Sequence, residues 1–120
     1  MLTLVASMAV EGDELAVTLD RSERWWGLLR DLRVPLSSIV AVEVVPDGRA
    51  AVRGRRAPGL GGPERRIGTW RAKDDQQYVS VRRGQPAVKV TLRSQRYHTV
   101  LIGVDDADHV AAEVRTAARL

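Results

Sequence analysis

The sequence predicts a mainly β domain: about seven antiparallel strands in two sheets, curled into a small barrel and capped by a C-terminal α-helix. Three observations predict it. Short apolar runs with period-two alternation recur from Leu2 to Val104, turn residues punctuate them at short intervals, and the period becomes helical from Asp106 onward. At 120 residues the chain makes one domain, 1–120, large enough to bury a single core.

Leu2, Leu4, Ala6, Met8 and Val10 alternate with Thr3 and Ser7, and Leu15, Val17 and Leu19 alternate with Glu14, Ala16, Thr18 and Asp20. With Glu11-Gly12-Asp13 between them, the first twenty residues read as a β-hairpin. Ser22 can cap a short helix near 22–29, whose apolar stripe is Trp25, Leu28, Leu29 and Leu32. Trp26 falls off that stripe and becomes a candidate partner contact. Leu32-Arg33-Val34 is a short strand stopped by Pro35, followed by a Leu36-Ser37-Ser38 turn. Ile39 to Val45 is strongly β-prone, with Val40, Val42 and Val44 expected on one face and Glu43 on the other.

The stretch from Ala50 to Arg71 holds two prolines and six of the seventeen arginines, and four of the ten glycines fall between Gly54 and Gly62. It reads as a long basic loop, with regular structure resuming near Arg66 or Ile67. Beyond it come a strand from Tyr78 to Arg82, a Gly84-Gln85-Pro86 turn, and an alternating strand through Val88, Val90 and Leu92. After a turn at 93–96, Tyr97 to Val104 is nearly all β-favouring, which suits a strand covered on more than one side. Ala107, Val110, Ala111, Val114 and Ala118 then form the stripe of a helix over 106–119. Asp105, Asp106 and Asp108 stand at its start and Arg115 and Arg119 near its end, as the helix dipole favours.

Net charge is +4, yet only two of the nineteen basic residues are lysine. The absence of cysteine excludes disulfides and thiolate chemistry and suits a reducing compartment. Leu2 to Val10 is too short to span a bilayer and lacks the charged leader of a secretory signal, so a cytoplasmic protein is expected, with a peripheral place at the inner membrane face as the variant.

The order of elements resembles the pleckstrin-homology-like fold, and more narrowly small bacterial proteins of that fold, mostly actinobacterial and of unassigned function. The residues that carry the resemblance are Leu32-Arg33-Val34-Pro35-Leu36, the run from Arg53 to Gly59, Ile67-Gly68-Thr69-Trp70, and Val104-Asp105-Asp106 leading into the helix. The resemblance implies a PH-like barrel closed at one corner by its helix. In eukaryotic members it would also imply phosphoinositide binding beside the first hairpin loop. Here that loop is Glu11-Gly12-Asp13-Glu14, three carboxylates that would repel a phosphorylated headgroup, so that site is not carried over.

Candidate chemistry is sparse. Gly54 and Gly59 have Walker-loop spacing, but Leu60-Gly61 stands where Lys and Ser or Thr are needed. Gly59 and Gly61 begin a dinucleotide pattern that Glu64 breaks. His98 and His109 are too few for zinc, the aspartates miss the calcium-loop spacing, and neither Ser80 nor Ser94 sits in a nucleophile elbow. The only long helix begins with acidic residues, which argues against a nucleic-acid groove binder. No catalytic residue, metal or cofactor is therefore assigned. The expected function is a non-catalytic module acting through protein contacts or self-association, by way of open sheet edges and Trp26. The alternative is peripheral binding of anionic lipid or another polyanion through Arg53, Arg55, Arg56, Arg65, Arg66 and Arg71.

Overall fold

The computed structural model describes residues 7–18, 31–48, 55–61, 65–72 and 75–120. The short helix expected near 22–29, with Trp26, lies outside the described residues, as do Leu2 to Ala6 and Arg53. Among the described residues the chain is mainly β: two sheets, a single turn of 3-10 helix, and one α-helix at the carboxyl end.

The first sheet has three antiparallel strands in sequence order, β1 (Ser7–Glu11), β2 (Glu14–Thr18) and β3 (Leu32–Pro35). Gly12 and Asp13 close the β1–β2 hairpin in two residues. Gly12 has φ +64° while Asp13 does not turn left-handed, the signature of a II′ turn, whose twist matches that of the strands it joins. Met8, Leu15, Val17 and Val34 point into the core. On the outer face Arg33 lies across from Ala16 and reaches both Glu11, at 2.9 Å, and Glu14, at 3.3 Å. The acidic turn noted in the sequence is thus bridged by an arginine from the next strand but one.

Leu36–Ser38 forms the 3-10 turn, tied back by the Ser38 hydroxyl donating to the Pro35 carbonyl (2.6 Å) and by the Leu36 amide donating to the Asp13 carbonyl (2.9 Å). It passes the chain into the second sheet. That sheet comprises β4 (Ile39–Val45), β5 (Arg55–Gly61), β6 (Arg65–Ala72), β7 (Asp75–Arg82), β8 (Ala87–Leu92) and β9 (Thr99–Gly103), in the spatial order β4-β8-β9-β7-β6-β5.

Several expectations are corrected here. Nine strands, not about seven, are present among the described residues: part of the supposed basic loop is β5, paired antiparallel with β6, the strand expected to resume near Arg66 or Ile67 and beginning at Arg65. Glycine and proline hid β5: they are poor strand formers, yet an edge strand tolerates them where a central one does not. The sheets are not wholly antiparallel, since β9 inserts between β7 and β8 and runs parallel to β7. Among the described residues no strand pairing joins the two sheets into a closed barrel.

The insertion of β9 explains the connection at Arg83 to Pro86. That segment has to step over the end of a strand, which no two-residue hairpin could do. At the crossing the Gln85 side chain lies close over Gly103, and a Cβ there would meet its terminal amide oxygen and displace it. The Val104 amide donates to the Pro86 carbonyl at 3.0 Å, and Gln85 Nε2 donates to Asp105 at 3.0 Å.

One correction concerns β4. Val40 is 49 % exposed rather than aligned with Val42, because the register with β8 slips between Ile39 and Ala41 and the bulge turns Val40 outward. The double cover expected for the strand after Tyr97 holds, as all five residues of β9 are buried. Val100 and Ile102 join Tyr78, Val88, Val90 and the small sheet in the main core, while Leu101 packs with Trp70, Val79, Val81 and Ala87 on the opposite face.

The helix α1 (Ala107–Ala118) buries Ala107, Ala111 and Val114, with Val110 and Ala118 half-buried beside them, as the stripe predicts. It packs on β4, β8, β1 and the 3-10 turn. Asp106 occupies the N-cap position without a side-chain capping bond, so the acidic run is not a cap of that kind. At the other end the Arg119 amide donates to Thr116 and the Leu120 amide to Arg115, a Schellman arrangement with Arg119 at φ 61°, where glycine is usual.

Candidate functional site

Five of the six candidate arginines fall on one hairpin at the edge of the large sheet. Arg55 and Arg56 lie on β5, and Arg65, Arg66 and Arg71 on β6. The register does not bring them together as one cluster. Arg55 stands across from Arg71, whereas Arg66 stands across from Gly61 and Arg65 across from Arg82 of β7. At roughly 3.3 Å per residue these two groups are about 17 Å apart along β6. Two like-charged cross-strand pairs result, at Arg55/Arg71 and Arg65/Arg82. Of the glycine patterns tested against phosphate loops, Gly59 and Gly61 sit within strand β5, Gly54 and Glu64 lie outside the described residues, and the next described element is strand β6 rather than a helix.

A mainly β domain has another candidate site in its unpaired strand edges. An edge exposes a row of backbone donors and acceptors, and folded chains blunt such rows with proline, bulges, charge or a covering element. Four strands are terminal in the two sheets: β1, β3, β4 and β5. β5 contains Pro58 and an irregular register between Arg56 and Gly59. β3 has only four residues and ends at Pro35. β4 carries the bulge at Val40, and its Val42 carbonyl accepts from both Nε (3.0 Å) and Nη2 (2.8 Å) of Arg115 on α1.

Among the described residues β1 has neither proline nor bulge, and it pairs with β2 residue for residue from Ser7↔Thr18 to Glu11↔Glu14. Ser7 and Ala9 are exposed, Met8 is buried and Val10 half-buried. Beside Val10 a shallow groove of about 450 Å³ opens against the second face of α1, formed by His109, Ala112, Glu113, Thr116 and Ala117 at helical spacing. Its wall is mostly apolar. The same helix that clamps the β4 edge also packs on β1, and a trough remains between its outer face and Val10.

Sequence alone points to neither Arg115 nor the β1 edge: the arginine satisfies the helix dipole, and which strands lie at an edge is evident only once the strand order is known.

The other polar candidates hold the fold. His98 Nδ1 accepts from the Gln76 amide at 3.3 Å, and the His98 amide donates to the Gln76 carbonyl at 2.9 Å, fastening the approach to β9 onto β7. His109 lies 3.8 Å from Glu113, one turn on and exposed. Asp75 accepts from the Thr99 hydroxyl at 3.0 Å, and Asp47 from the Gly84 amide at 3.1 Å. Ser80 is buried within β7, closed to a substrate, and Ser94 occupies an exposed bend with φ 57°. Among the described residues no three His, Asp or Glu side chains are grouped to hold a metal ion, and no helix is long and apolar enough to cross a membrane.

Compared with known proteins, the chain matches no family model, no curated protein and no solved structure.

Proposed function

We propose that this chain is a non-catalytic binding module of pleckstrin-homology-like type, cytoplasmic, acting through protein contacts that include self-association. The observation that carries the reading is the uneven treatment of the four sheet edges. Among the described residues three are blunted by proline, bulge, shortness or Arg115, while β1 is regular, with an apolar groove beside it. An edge of this kind recognises an extended segment by main-chain hydrogen bonds, with alternate side chains entering the groove.

Ala9 provides the test, because it is exposed and at the centre of β1. Lysine there should place a charge on the docking edge without disturbing the core. Association of the wild-type chain, with itself or with another protein, is expected to be lost in Ala9→Lys and kept in Val40→Lys on the guarded β4 edge. No association by the wild-type chain, or association indifferent to Ala9→Lys, sinks the proposal.

A second reading has its own observation. The backbone register gathers five of the six candidate arginines on the β5–β6 hairpin at one edge of the large sheet. Guanidinium groups pair well with phosphate and carboxylate, which supports a peripheral contact with anionic lipid or another polyanion. Co-sedimentation with anionic vesicles at low salt, reduced in Arg55→Glu/Arg56→Glu, is the expected result. Binding unchanged by that double substitution, or no binding at all, removes this reading.

A further inference from the structure

We infer that the occupant of the β1 edge is β1 of a second copy of this chain, paired antiparallel about a two-fold axis at Ala9, so that two three-stranded sheets join into one of six strands. The inference rests on the reading above that the module acts through protein contacts at β1, and names the partner.

The hairpin sets the hydrogen-bonding phase. In a two-residue hairpin the residues flanking the turn exchange both backbone bonds, and here those are Glu11 and Glu14. Alternation then assigns the backbone groups of Ser7, Ala9 and Glu11 to β2 and turns those of Met8 and Val10 outward. An antiparallel copy centred on Ala9 sets Met8 opposite Val10 of the partner subunit and Val10 opposite the partner's Met8. Each pair exchanges two bonds, so every outward donor and acceptor between these residues is used. No other centre within the five-residue strand overlaps its whole length.

The side chains agree with this register. On the outer face Ala9 meets its own symmetry mate, two methyl groups in the close, non-hydrogen-bonded position. Glu11 falls opposite a serine hydroxyl rather than a second carboxylate, and is already bridged by Arg33. On the core face Val10 gains an apolar neighbour across the edge, and the trough against Ala112, Thr116 and Ala117 is closed to water. A two-fold contact of this kind is isologous and closed, so pairing stops at the dimer and does not propagate into a filament.

The chain has no cysteine, so Ala9→Cys would introduce its sole thiol. At the axis the two Cα atoms would be about 4.5 Å apart, within disulfide reach. Mild oxidation is expected to link Ala9→Cys into a covalent dimer and to leave Thr18→Cys, exposed at the far side of the hairpin, largely unlinked. In sedimentation velocity, Ala9→Lys and Ala9→Glu should each dimerise about fivefold or more weakly than wild type, since like charges then face each other. Mixing the two variants should restore a one-to-one dimer. Circular dichroism and urea midpoints matching wild type would show that both variants fold. A wild-type chain that stays monomeric at every concentration overturns the inference, as does a dimer that Ala9→Cys fails to link. In either case, loss of a different protein partner in Ala9→Lys would leave the protein-contact reading standing.

Discussion

The two flanks of α1 treat neighbouring strands in opposite ways. On one flank Arg115 reaches the β4 edge and places two guanidinium donors on the Val42 carbonyl. On the other, the small residues Ala112, Thr116 and Ala117 line a groove beside Val10. A long side chain closes one edge, and short ones leave its counterpart accessible. Between β4 and β1, the side chains of the helix help decide which edge is available.

The largest way to break the contrast is to loosen the helix. Val114 is 1 % exposed at its foot, and Val114→Ala removes two buried methyl groups and leaves a cavity, for an expected loss of about 2 kcal/mol in urea unfolding. Next is Arg115→Ala, which deprives a part-buried carbonyl of a charged donor pair. It should cost about 1–2 kcal/mol and make β4 a second site of association, seen as higher oligomers in sedimentation. Arg115→Lys should recover only part of this, because an ammonium lacks the fork that sets two N–H groups on one oxygen.

Arg33→Ala acts on the open side. Its bridges to Glu11 and Glu14 are exposed, so the stability change should be at most about 0.5–1 kcal/mol, shrinking as salt is added. The smallest effect is expected for Val40→Thr, within about 0.5 kcal/mol, since the bulge already places that side chain in water. A large loss there would mean that β4 is less regular beyond the bulge than its register indicates.

Local alternation and helical stripe located every described strand but β5, and the helix, to within a few residues, because burial on one face writes its period directly into the residues. β5 escaped. Its glycines and Pro58 obey the rules of an edge strand, and no local signal separates that from a loop. The position of β9 also escaped, since Gly84-Gln85-Pro86 signals a turn without saying whether the strands it joins are neighbours. Double burial of Val100-Leu101-Ile102 was legible as an unbroken apolar run, which is the mark of a central strand. Of the candidate site, the arginines were legible as composition, but their division into two groups depends on register, a property of paired strands and not of either one.

The place of β9 bears on how the chain comes together. Without it the large sheet consists of two separate ribbons, β4 with β8 and β7 with β6 and β5, and no hydrogen-bonded ladder joins them. The strand that stitches them is the last to be synthesised, and it must enter a slot whose mouth is already spanned by the Arg83 to Pro86 connection. A nascent chain halted before Thr99 would carry two unsealed ribbon edges, and those edges are the part of this molecule most exposed to pairing with the wrong neighbour during synthesis.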